Sequence, residues 1–383
     1  MIEARTKGGN MIWESSLKDF FTTLNPVEYT FDPKIIYDHY RSRFVVVDLD
    51  VNFSEPYSSR IFLAVSKDAN PDSNNSTAWD YYAINSLTTI DGVEYFADYP
   101  GFEVDEEAIY ITNNMFSLVD FTYGGPRLWI VNKNALYDSQ SLIVSTLPAS
   151  AIGVYSLTLM PSKVYGVGGI PLPTDHQGAS SSSIGTFLVG YQGLSNCVDE
   201  FLQVTTLYDV LASPPTTPTI QLVKLGNIEQ DTSIELPDAK QAGGTAAIEV
   251  NDRRVLDAVW RDGSLWVTFE IRKISIRQGW ITKGYYVQLN TTSKDMSVIS
   301  QGTISGRNID PSDMDGDEVS TFFPALDVNR DGYAMFSFSA SSPNMFAGAF
   351  ISGTNASSVQ CIKEGEGYYL RTFGKFVQHH ATT

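Results

Sequence analysis

Asp327-x-Asn329-x-Asp331-Gly332 is the stretch whose residue types and spacing come nearest to chemistry. Alternating oxygen-bearing side chains followed by glycine make the first half of a calcium loop, where such oxygens converge on a hard cation. The glutamate that should close the loop is absent, and Phe338 stands in its place. The same residues fit a hairpin turn in which Asx side chains accept backbone amides. Just upstream, Asp310, Asp313, Asp315, Asp317 and Glu318 put five carboxylates into nine residues. Such a density repels itself unless water or a cation intervenes. Asp313, Asp315, Asp317, Asp327, Asn329 and Asp331 are therefore the candidate ligands of Ca2+, the one cofactor suggested; turn chemistry and a solvated acidic loop, with no cofactor, are the alternatives.

Other chemistry-bearing residues form no set. The histidines are His39, His176, His379 and His380, and His39 lies in a turn beside Asp38 and Arg41. There is no Gly-x-Ser-x-Gly elbow, phosphate loop or His-Glu-x-x-His motif. Tyr81, Tyr82, Trp280, Tyr285, Tyr286, Tyr368 and Tyr369 could stack on sugar rings, but they equally suit packing between strands.

Bulk properties narrow the partners. A net charge of −18 and a pI near 4.5 exclude nucleic acid, whose binders need a basic face. They also disfavour anionic membrane surfaces, while leaving cations, neutral glycans and proteins. No apolar run reaches the ~18 residues of a membrane span. The N-terminus, Met1 to Lys7, lacks the apolar core of a signal peptide. Cys197 and Cys361 are the only cysteines, either one bridge or two thiols. Asn52, Asn74, Asn75, Asn290 and Asn355 begin Asn-x-Ser/Thr sequons, and a chain so rich in Ser and Thr would give roughly three by chance. The excess points towards secretion, to the cell surface or beyond.

A pattern recurs along the chain. An apolar entry with proline leads to a polar turn and a second apolar strand, as in Phe322-Phe323-Pro324 to Asp331-Gly332 to Tyr333–Ser339. Laid on it, Pro100 meets Pro324, Val104 meets Val328, Asp105 meets Asn329, and Glu107 meets Asp331. Copies start near 33, 100, 161, 255 and 324, a pitch of about 60–70 residues apart from one longer gap. That gap holds the proline stretch Ser213–Pro218, read as a joint between repeat units. Trp13–Leu24 has the spacing of a short helix. Units of three or four short strands with no helices between them must cover one another's faces, which predicts an all-β β-propeller. Six blades of about four antiparallel strands are expected, with seven as the alternative. Residues 31–376 form the propeller and 377–383 a tail; the last blade is either completed by the segment 1–30 or belongs to a longer protein of which this chain is a fragment.

The aromatic-Pro-x-apolar-x-Val-x-x-(Asp/Glu) pattern resembles the blades of secreted and cell-surface β-propellers of sialidase-like architecture, over roughly 30–376. Arg371-Thr372-Phe373-Gly374-Lys375-Phe376 is similar to a late-blade element of that group, with Lys375 where an acid is usual. The resemblance implies a blade scaffold and not an active site. Sialidase chemistry would need three arginines and a Tyr/Glu pair, and nothing in the spacing selects among Arg41, Arg43, Arg60, Arg127, Arg253 and Arg254. The reading that follows is a non-enzymatic extracellular or cell-surface module binding a protein or glycan, or part of an extracellular assembly. The alternative is a carbohydrate-active enzyme, glycosidase or lyase, with its site at the channel mouth.

Overall fold

The computed structural model describes residues 1–27, 29–138, 141–166, 186–213, 216–244, 246–313, 315–354 and 358–369. The chain divides into two compact units, one of residues 1–154 with 208–218, the other of residues 155–207 with 219 onward.

The first unit opens with a small hairpin, β1 (Ile2–Arg5) and β2 (Met11–Ser15), and a helical turn α1 (Leu17–Phe20) capped by Ser16. Its first blade follows in the order β3 (Tyr29–Asp38), β4 (Arg43–Asn52), β5 (Ser58–Ser66), β6 (Trp79–Asn85). The second contains β7 (Thr88–Ile90), β8 (Val93–Val104), β9 (Ala108–Ser117), β10 (Tyr123–Asn132) and β11 (Val144–Leu147), with short helices α2 (Lys133–Tyr137) and α3 (Ala149–Ile152). The second unit holds three more sheets. Their strands are β12 (Met160–Pro161), β13 (Lys163–Tyr165), β14 (Phe187–Gly190), β15 (Glu200–Thr206), β16 (Thr219–Gly226), β17 (Asp257–Arg261), β18 (Ser264–Ser275), β19 (Gly279–Asn290), β20 (Ser297–Thr303), β21 (Ser320–Val328), β22 (Ala334–Ser342), β23 (Met345–Gly353) and β24 (Gln360–Lys363). They pair as β12-β14-β15-β16, β13-β17-β18-β19-β20 and β21-β22-β23-β24.

This is the expected β-propeller, with five blades among the described residues where six were expected. The five aligned copies account for all of them, and among the described residues the one further sheet is the two-stranded β1-β2 hairpin. Three sequence expectations change. The helix over 13–24 is a strand followed by two helical turns. Residues 1–27 add no strand to β21–β24; they lie on the first blade. The proline stretch 213–218, of which 214 and 215 lie outside the described residues, connects β15 and β16 of a single sheet and not two repeat units.

Each blade in the first unit is apolar on the face it turns to its neighbour. Val45, Val47 and Leu49 of β4 and Ile61, Leu63 and Val65 of β5 meet Phe102, Ile109, Ile111 and Met115 in one buried cluster. Burial of each such side chain contributes about 1.5–3 kcal/mol. The alternate residues of β4 and β5 point to the other face, where Val46, Phe62 and Ala64 are covered by Phe20 and Phe21 of the N-terminal segment.

The polar turns of the repeat are built alike. Asp38 Oδ1 accepts the amides of Tyr40 and Arg41 at 2.9 and 3.2 Å. Asp105 Oδ1 accepts those of Glu107 and Ala108 at 2.9 and 2.8 Å. Asn329 Oδ1 accepts those of Asp331 and Tyr333 at 3.0 and 2.9 Å. In the first unit the device is buried and linked further. Lys133, fully buried, pairs with Asp38 at 3.0 Å and donates to the Asp105 carbonyl, while Tyr110 donates to the Asp105 carboxylate. The same turn should therefore have unequal weight. Asp105→Ala, which orphans two buried amides and a hydroxyl, is expected to cost about 2–4 kcal/mol in chemical denaturation. Asn329→Ala, at an exposed turn, is expected to cost about 0.5–1 kcal/mol. Equal losses would remove the distinction.

Candidate functional site

Three strands, β3, β8 and β21, share one irregularity. Each carries a β-bulge at the residue before its proline, and that residue has positive φ: Asp32 (53°), Tyr99 (47°) and Phe323 (51°). Positive φ is sparsely populated by non-glycine residues and persists where surroundings impose it. A residue opposite each bulge completes the device: Asp48 on β4, Asn113 on β9 and Phe338 on β22.

The surroundings of the bulges differ. That of β21 is tied to its neighbour: Glu270 accepts the Phe323 amide, Thr268 donates to the Pro324 carbonyl at 3.1 Å, and Asp257 accepts the Leu326 amide at 2.9 Å. Burial pushes the Glu270 carboxyl well above its ordinary range. In the first unit, β3 and β8 run as neighbours. Lys34, beside the first bulge, places its ammonium 5.3 Å from the Tyr99 ring at the second. Asp32 is exposed and Asp98 half-buried. Asn113, buried, donates to the Asp98 carbonyl at 3.2 Å, and its Oδ1 has no hydrogen-bond partner. Two carboxylates, an ammonium and an aromatic ring thus come from two adjacent distorted strands. We take Asp32, Lys34, Asp98 and Tyr99 as the candidate site.

Sequence reasoning used Pro33 to align the repeat but passed over Asp32. The signal was present: among the aligned copies, only this one carries an acid immediately before its proline.

The expected calcium ligands go elsewhere. Asp310 accepts from Ser312, Ser342 and Asn344, and Asp313 from the Glu318 amide at 2.7 Å. Asp315 and Asp317 are exposed. The positive charge at this loop is the ammonium of Lys283, buried and donating to the carbonyls of Gly316, at 2.6 Å, and Val319. Burial pulls its pKa down to about 8, against the attraction of Asp317, Asp313 and Glu318. Asp327 Oδ2 lies 3.2 Å from Lys163 and takes the Tyr165 hydroxyl at 2.9 Å; Asn329 and Asp331 shape the turn. Among the described residues no three His, Cys, Asp or Glu side chains gather as metal ligands.

The remaining candidates are dispersed. Arg60 pairs with Asp50, Arg253 with Glu229 and Arg254 with Asp252. Arg41 donates to Asn134, Arg43 to the Ser66 carbonyl, and Arg127 lies over Trp129. Most of the aromatic candidates are packed or bonded: Tyr81 against Phe20, Tyr285 against Phe269, Tyr286 against Phe336, Trp280 under Arg272, with Tyr82 bonded to the Leu136 carbonyl and Tyr368 to the Ala246 amide. Tyr369 is exposed. Cys197 and Cys361 are exposed free thiols with no bridge between them. Asn52, Asn74, Asn75 and Asn290 lie at strand ends and in loops, with Asn75 and Asn290 accepting the hydroxyl of the threonine two residues on. His39 is exposed beside Tyr40. Asn355, His176, His379, His380 and the Arg371–Phe376 element lie outside the described residues. No described helix is long and apolar enough to cross a membrane.

No family model matches the sequence, and no curated protein does. Among solved structures, a glycosyl hydrolase from Bacteroides ovatus is similar at 10% identity over 88% of this chain and 86% of that one, with a TM-score of 0.38. An endo-arabinase from Bacteroides thetaiotaomicron VPI-5482 is similar at 11% identity over 88% and 95%, TM-score 0.37. A Trypanosoma rangeli sialidase mutant is similar at 7% identity over 95% and 50%, TM-score 0.40. At these values the likeness carries nothing about this chain's chemistry.

The acidic loop gives a direct test. Folding disfavours the Lys283 ammonium, so the folded chain binds that proton less tightly than the unfolded chain does. Stability from this group should rise as pH climbs from about 8 to about 10.4, and Lys283→Met should flatten that rise. With a lysine in the cation's place, millimolar calcium or EDTA should move Tm by less than about 1 °C. A clear calcium-dependent rise in Tm would restore the metal reading.

Proposed function

We propose that this chain is a carbohydrate-active β-propeller that cleaves glycosidic bonds of a neutral glycan outside the cell or at its surface. The observation that carries the reading is Asp32: an exposed carboxylate held at a strained bulge apex, beside a second strand that brings Asp98 and Tyr99. Glycoside hydrolysis needs two carboxyl groups flanking the bond, one to protonate the leaving oxygen and one to attack or to activate water. Asp32 takes the second role, being the exposed carboxylate of the two. Asp98, less exposed, supplies the acid, and the Tyr99 ring offers the flat apolar surface on which a sugar ring stacks. A chain with net charge −18 repels polyanions, which leaves neutral glycans as the substrate class. Excess sequons support the extracellular placement.

A second reading, non-catalytic glycan binding, is favoured by one specific fact: tyrosine and phenylalanine occupy the other two apices. The experiment separates the two. Release of reducing ends should be screened over neutral polysaccharides and aryl glycosides, with binding measured on the same panel. Asp32→Asn and Asp98→Asn should each lower kcat by about 10²–10⁴-fold with an unchanged fold, while Asp331→Asn is silent. Binding that is lost with Tyr99→Ala, with no hydrolysis on any substrate, would leave the binding reading in force. Neither binding nor hydrolysis would sink both.

A further inference from the structure

The outer face of the first blade holds a group that the proposed chemistry does not use. Asp48 on β4 is fully buried, and neither carboxyl oxygen has a hydrogen-bond partner. Its flanking residues on that face, Val46 and Asp50, and the paired Phe62 on β5 lie beneath the N-terminal segment. That segment is held by apolar contacts and by directed bonds, among them the Trp13 indole donating to the Pro71 carbonyl at 3.1 Å. Phe21 sits 5.3 Å from Phe62, and Trp13 packs on Phe20 and Trp79 at 5.9 and 6.2 Å. Asp50 accepts the Val27 amide at 2.8 Å, and Arg60 donates to the carbonyls of Leu24 and Asn25 at 3.0 and 2.9 Å.

We propose that residues 1–27 are a pH-responsive strap, seated on the first blade while the Asp48 carboxyl is uncharged and loosened when it ionises. An unpaired carboxylate in an apolar interface is expensive, so ionisation favours any state that lets water in. The charged groups around Asp48 do not rescue it. Asp50, on its own strand, and Asp32, at the β3 bulge, are like charges that oppose ionisation. Arg60 on β5 is committed to Asp50 at 2.7 Å. Tyr81 on β6 is a neutral phenol held so by burial. Only the Met1 amine, carried by the strap itself, attracts the charge. Burial raises the Asp48 pKa to about 8; the adjacent Leu49 amide opposes this from outside hydrogen-bonding geometry and does not reverse it.

The sign follows. The seated state holds the proton up to about pH 8, whereas an open state would release it near the ordinary carboxylate value of about 3.9. Seating therefore weakens as pH rises between those values, by up to tenfold per pH unit, and levels off above.

Hydrogen exchange of the full chain between pH 5.5 and 8.5, corrected for intrinsic rates, reads this out. Protection over 17–27 should fall by up to tenfold per pH unit while β8–β10 keep theirs, with Trp13 fluorescence changing in step. Asp48→Asn, or Asp48→Leu if the first does not fold, should hold the strap's protection flat. The wild-type comparison of strap against β8–β10 decides the matter even without a variant. A flat wild-type profile, a slope that survives in the variant, or loss of protection in all strands together would each overturn the proposal. None of these outcomes bears on Asp32 as a hydrolytic carboxylate.

Discussion

A small sheet with two apolar faces has to be covered twice, and that requirement organises the first unit. One face of β3–β6 meets the second blade through Val45, Val47 and Leu49. The other has no second blade within its unit, and residues 1–27 take the position through Phe20 and Phe21. Strand alternation makes this unavoidable, because β4 carries apolar residues on both sides, Val45, Val47 and Leu49 on one and Phe44 and Val46 on the other. Covering both faces also buries whatever polar groups lie on them. Most are matched, Asp50 with Arg60 and Asp38 with Lys133. Asp48 is the group in the first blade left without a match, so its protonation state acts on the covering segment.

The bulges answer a different constraint. A proline in a strand donates no ladder hydrogen bond and is tolerated at sheet edges and where the ladder is already broken. Placing the extra residue before the proline breaks the ladder there and turns that residue to positive φ. The geometry recurs in β3, β8 and β21, so it belongs to the architecture. What varies is the residue at the apex and how firmly neighbours hold it. At β21, Glu270, Thr268 and Asp257 bind the bulge from the adjoining sheet, and the apex is a phenylalanine.

Much of the fold was legible in the sequence. The 60-residue recurrence, the Asp331-Gly332 turn between β21 and β22 and the matching of Asp105 to Asn329 all correspond to real elements, since turn chemistry is local and each Asx carboxylate or amide binds amides two to four residues away. Blade number is harder to read, because strands beyond the four of a blade add to existing sheets, as β7 and β13 do, and the repeat pattern does not say which sheet a strand joins. The N-terminal segment was misplaced for a related reason: its Trp, Phe and Leu spacing shows that it covers something apolar without showing what. The acidic cluster misled most. Lys283 lies some thirty residues before it and no local pattern links them; only the packing of β19 against the 304–319 segment brings the ammonium to the Gly316 and Val319 carbonyls.

The candidate site shows why function was the faintest signal. In a repeat protein every copy must satisfy the same packing, so shared residues report architecture and chemistry resides in departures from the pattern. Asp32 is such a departure. Its strand needs a bulge, its proline fixes where the bulge falls, and no packing requirement calls for a carboxylate there, since tyrosine and phenylalanine serve the other two. Aspartate adopts positive φ more readily than tyrosine or phenylalanine, and it alone among the three apices places a carboxylate there. That charge is what sets this position apart from the scaffold around it.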